Sequence, residues 1–184
     1  MPTLQDMVFL NVSFHRLGIR KKVNVQAERD KGTMTMDADI NSVYVSKELL
    51  DSPGYEAIVQ FDGSVSRWLG QNALPASRSL KAGFWRVSPE SADQVDRQLQ
   101  AYGTDREALI ELFLEEYPEQ VNAARTRLNG LFNEADYPSI KKVRKAFWFT
   151  WQFIGVATPE SLMSFAPALA ESSRRKLEEL QLAS

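Results

Sequence analysis

The sequence predicts an α+β fold: a small, mainly antiparallel sheet with a long helical hairpin and additional short helices. Three observations carry that prediction. Residues 7–17, 82–88 and 147–156 alternate apolar and polar side chains, or run aromatic, as strands do. Residues 89–131 keep apolar side chains at helical spacing. The order of elements is strand, loop, helix, strand, long helices, short helix, strand, helices, which is an α+β order.

The first strand has Val8, Leu10, Val12 and Phe14 on one face, with Phe9, Asn11, Ser13 and His15 on the other. Residues 24–42, with E-R-D-K-G and T-M-T-M-D-A-D, read as a flexible polar loop or insertion, with room for a short strand or flap around Met34 and Met36. Helical signals begin near Ser46. Ser52-Pro53 is an N-cap with proline at the first helical position. Tyr55, Ile58, Val59, Val65, Trp68 and Leu69 then keep helical spacing, weakened at Gly63 and Gly70 and ended by Asn72 to Ala76. Residues 82–88 form a short strand, and Ser88-Pro89-Glu90 repeats the cap.

In the long helical region Val95, Leu99 and Tyr102 form one stripe. Gly103 breaks the propensity, and Thr104-x-x-Glu107 is a capping box able to restart the helix. Leu109, Leu112, Phe113, Tyr117, Val121, Ala124, Leu128 and Leu131 hold phase across Pro118, which suggests a kinked continuation. Asn129-Gly130 is a helix stop. Ser139 caps a short basic helix through Lys145, with Ile140 and Val143 inward. Residues 1–158 then make a single α+β domain carrying the 24–42 loop, and residues 159–184 a C-terminal helical appendage.

Composition narrows the function classes. The chain has 184 residues, 22 Lys plus Arg, 24 Asp plus Glu, a formal charge of -2, one His and no Cys. A thiol nucleophile and a disulfide framework are excluded. A zinc site or a His-based triad would have to use His15 alone. No glycine-rich phosphate loop occurs. No apolar run approaches the roughly 20 residues of a membrane helix, and no leader pattern opens the sequence. The expectation is a cytoplasmic protein with no membrane partner and no small-molecule cofactor.

Charge is segregated. Residues 90–119 carry nine acids against Arg97 and Arg106. Arg16, Arg20, Lys21 and Lys22 follow the first strand beside His15. Lys141, Lys142, Arg144 and Lys145 precede the aromatic run A-F-W-F-T-W-Q-F. In that run Phe147, Phe149, Trp151 and Phe153 point one way, and this face has to be core, because four exposed aromatics in a row would aggregate. Trp148, Thr150, Gln152 and Ile154 point the other way. Trp148 is the ring expected to meet a ligand. Lys81, Trp85 and Arg86 again set cations beside an aromatic. Two weak carboxylate pairs, Asp37 with Asp39 and Glu134 with Asp136, could serve a metal-dependent nuclease. They read first as solvated loop acids and as turn chemistry.

The segments V-F-L-N-V-S-F-H-R-L-G-I-R-K-K, G-F-W-R-V-S-P and G-L-F-N-E-A-D-Y-P-S resemble an uncharacterised family of phage and mobile-element proteins, a domain of unknown function often encoded near MoxR-type ATPases and von Willebrand factor A proteins. The resemblance spans roughly residues 7–160. It implies a mobile-element setting and no catalytic motif.

Two function classes follow. One is a non-enzymatic nucleic-acid-associated protein, alone or within a nucleoprotein complex. It would use Arg16, Arg20, Lys21, Lys22, Lys81, Arg86, Lys141, Lys142, Arg144 and Lys145 on phosphates and Trp85 or Trp148 for stacking. The other is a protein-only interaction module, an ATPase adaptor or an inhibitor of a host nucleic-acid-guided defence, acting through the acidic long helix.

Overall fold

The computed structural model describes residues 8–35, 37–39, 42–75 and 83–154. The fold is α+β. In chain order the elements are β1 Val8–His15, β2 Arg20–Lys22, α1 Val25–Asp30, β3 Ser46–Glu48, α2 Pro53–Asn72, β4 Leu74–Pro75, β5 Phe84–Val87, α3 Pro89–Leu128, α4 Ile140–Lys145 and β6 Trp148–Ile154. Two 3-10 turns, Asn129–Leu131 and Glu134–Asp136, join α3 to α4. Among the described residues no helix is long and apolar enough to cross a membrane. Met36, Lys81 and the proposed appendage 159–184 lie outside the described residues. The chain divides into two units, each with its own apolar core.

The first unit is built from residues 8–14, Val59–Glu107 and 149–154. Its sheet has the order β4-β5-β1-β6, and β5 runs antiparallel to β1 with Leu10 opposite Trp85 and Val8 opposite Val87. Alternation puts those four side chains on the face that α2 and α3 cover, where Leu10, Val65, Leu69, Val87, Leu99 and Phe153 are buried together. The turn into β5 requires glycine. Gly83 has φ +95°, and a Cβ there would stand 2.5 Å from the Val12 carbonyl oxygen, while the Val12 N–H donates to the Gly83 oxygen at 2.8 Å. The face carries one buried ion pair. Arg106 donates through Nε to Asp62 at 2.7 Å and through Nη2 at 3.3 Å, and its guanidinium lies 5.9 Å from the Phe14 ring centre. Trp151 donates its indole N–H to Asp96 at 2.7 Å, which satisfies the polar end of a half-buried ring.

The second unit is built from His15–Ile58 and Ala108–Trp148. Tyr55 lies in its core, edge-on to Phe113 and Phe147, and donates its hydroxyl to the Leu17 carbonyl at 2.7 Å. Ile58, Ile110, Phe113, Leu114, Tyr117 and Val143 complete the cluster. β2 and β3 pair antiparallel, with Arg20 opposite Glu48. The α3 helix ends where Asn129 takes φ 44°, a left-handed conformation that asparagine tolerates.

Four sequence expectations change. The start of the 24–42 segment is helix α1, capped by Asn24, whose side chain accepts from the Ala27 N–H. It closes on Gly32 at φ +72°, with the Gly32 N–H on Arg29 O and the Thr33 N–H on Glu28 O, a left-handed glycine stop. Ser46 does not begin a helix, since Ser46–Glu48 is the strand partner of β2. The α3 helix does not break at Gly103, while its continuation through Pro118 is the one the apolar phase predicted. The Thr104 hydroxyl donates to the Gln100 carbonyl inside the helix and forms no capping box. Leu112 and Ile140 are exposed rather than inward. The buried positions of the second half of α3 are Ile110, Phe113, Leu114, Tyr117 and Ala124.

Candidate functional site

The short helix α4 sets the candidate surface. Ser139 precedes it, but its hydroxyl makes no capping bond, and Val143 alone of its residues is buried. With Val143 inward, Lys141, Lys142 and Lys145 point to solvent and make no ion pair among the described residues. Arg144 is different. Both its terminal nitrogens bond Glu111, a bidentate pair that neutralises the charge.

The helix ends at Ala146, whose carbonyl accepts from His15 Nδ1 at 2.5 Å. A carbonyl can only accept, so the proton sits on Nδ1. The His15 ring stacks on Trp148, with ring centres 5.2 Å apart and planes 6° from parallel. Trp148 is 44% exposed, while Phe147 and Phe153 are buried and Phe149 and Trp151 half-buried. The aromatic strand is therefore core on one face, with Trp148 presented on the other.

The 16–22 segment lies in the same unit as α4 and Trp148. Arg16 is half-buried. Arg20 is 3.7 Å from Glu48. Lys21 bonds Asp136, and Lys47 Nζ reaches the other oxygen of that carboxylate at 2.7 Å and the Leu131 carbonyl at 2.6 Å. Lys22 lies over the ring of Tyr44 at 4.8 Å. Burial pushes Asp136 up, but hydrogen bonds from Lys21 and Lys47 outweigh it and hold the carboxyl below its ordinary value. Exposed pairs such as Arg20–Glu48 are worth about 0–1 kcal/mol. They reduce the positive potential of the segment without locking it.

Three predicted positions fare differently. Trp85 packs on the core face of the first unit and lies across Gly70. It is not the open stacking ring that the sequence suggested. Arg86 opposes Phe9 on the other face of that sheet, half-buried, with Nε finding no acceptor among the described residues. Lys81 lies outside the described residues.

The carboxylate pairs also separate. Asp136 is committed to two lysines, and the backbone capping in its turn comes instead from Asn133, whose side chain accepts from the Ala135 N–H. Asp37 and Asp39 are exposed. Among the described residues no group of three or more His, Asp or Glu is placed to hold a metal.

Sequence reasoning missed three contributors. Lys47 completes the Asp136 clasp. Tyr44, 82% exposed, is the ring under Lys22. His15 is the backing of Trp148, and its only signal was a polar tip on a strand beside a basic run. No protein-family model, no curated protein and no solved structure matches this chain.

Proposed function

We propose that this is a non-enzymatic nucleic-acid-associated protein of a phage or mobile element, working alone or as a small subunit of a nucleoprotein complex. The observation that carries the reading is local. Lys141, Lys142 and Lys145 project from a helix that leads directly into a half-exposed tryptophan. Cations beside an open ring suit phosphate contact and base stacking together. The mobile-element setting rests on the sequence resemblance alone.

The test is fluorescence anisotropy of labelled single- and double-stranded RNA and DNA with nucleic-acid-free protein at two salt concentrations. The expected result is binding that weakens with salt and is lost in K141A/K142A/K145A. Absence of binding to all four polymers at low salt would sink the reading.

A second reading, a protein-only module, draws on a separate observation. Leu112 is 56% exposed on α3, on the same helix as the exposed acids Glu115, Glu116 and Glu119. An apolar anchor within an acidic rim suits a basic protein partner. Failure of all four polymers to bind, with retention of a basic protein through α3 lost in L112E, is the outcome that favours it.

A further inference from the structure

The nucleic-acid reading leaves open which form of the polymer is bound, and the His15–Trp148 pair bears on that choice. A duplex keeps its base faces stacked inside the helix, so an exposed indole face finds nothing on it to stack against. A single strand offers unstacked bases. Trp148 stands at the start of β6, on the face opposite the buried Phe147 and Phe153, and remains 44% exposed. One face of its indole is covered by the near-parallel His15 ring. His15 is in turn fixed by its bond to the Ala146 carbonyl, the residue that closes α4. The tryptophan is thus held from behind, and using its exposed part costs little further ordering. The free lysines lie three to seven residues before it in the chain, on the helix that the same carbonyl terminates.

We propose that this corner of the second unit is a single-strand site. One nucleobase stacks on the Trp148 face turned away from His15, and the adjoining phosphates are met by Lys141, Lys142 and Lys145. Contact is to a π-face and to phosphates, so base identity matters little. His15 is a positioning residue in this arrangement, because it holds the indole and does not touch the base. The inference rests on the nucleic-acid reading.

The experiment compares three labelled probes by anisotropy at low salt: a 12-nucleotide oligothymidylate, a 12-nucleotide abasic phosphate strand, and a duplex of the same length. The expected result is that oligothymidylate binds more tightly than the abasic strand by about 5- to 150-fold, the range of one aromatic–base stack. W148A should bring oligothymidylate down to the abasic level and leave the abasic strand unchanged, and W148F should restore most of the difference. The phenylalanine variant also guards against misreading a folding defect. Equal binding of oligothymidylate and the abasic strand, or tighter binding of the duplex, overturns the single-strand site while leaving phosphate contact by α4 intact. Failure of all three probes to bind overturns the single-strand site, and if single- and double-stranded RNA also fail to bind, the underlying reading falls with it.

Discussion

At the residue scale the Arg106–Asp62 pair is the most exposed to test. Both side chains are almost wholly buried, at 2% and 4% of their free area. Removing one partner strands a charge in the core, so R106A or D62A should lower unfolding free energy by about 3–5 kcal/mol in urea titration. The double variant R106M/D62L should recover most of that loss, since an apolar pair needs no compensation. Asp136 gives a prediction in pH. Its folded value lies below the ordinary carboxyl value of 3.8. The unfolded chain therefore takes up its proton first as pH falls, and stability rises with pH through that window. Wild type should exceed D136N in stability by a constant margin above about pH 5, with the margin closing as pH drops further. A margin unchanged down to pH 2 would separate Asp136 from its lysines. The sequence showed neither pair. Arg106 sits on the helical stripe among Leu99, Ile110 and Phe113, yet a charged residue there reads as a surface base until its partner 44 positions away is known.

At the element scale the long helix α3 is the informative case. Its apolar phase was legible from the sequence, and so was its start at Pro89. Its continuity was not, because Gly103 and Thr104 look like a stop and a restart. Tertiary packing overrides that local preference: the backbone at Gly103 faces Phe149 and Trp151, and a Cβ there would meet them at 3.8–3.9 Å, ordinary contact. G103A should accordingly raise stability by about 0.5–1 kcal/mol, read as a higher thermal midpoint. G83A should do the reverse and strongly, because its Cβ has no room beside the Val12 carbonyl. The α1 helix was missed for another reason. Six residues are too few to show a period, and the sign that was available, Asn24 as cap and Gly32 as stop, is chemistry at the ends rather than pattern in the middle.

At the scale of the whole molecule, a chain of net charge -2 carries basic runs at 16–22 and 141–145, each with members paired to acids. Sequence showed where the basic runs lie but not which members are spent on acids. Arg144 and Lys21 are engaged with Glu111 and Asp136, while three lysines of α4 are not. Single-strand binding through those three alone should give a log–log salt slope of about -2, at roughly -0.7 per neutralised phosphate. A slope twice as steep would bring the 16–22 segment into the contact. The stack behind Trp148 has one more consequence. The chain contains a single histidine, and that histidine lies flat against the one ring the proposal depends on. A magnetic resonance spectrum of the imidazole region will hold one set of signals, already displaced by the indole ring current. Any ligand that shifts Trp148 moves that solitary peak, so the protein carries its own label at the place where a label would have been put.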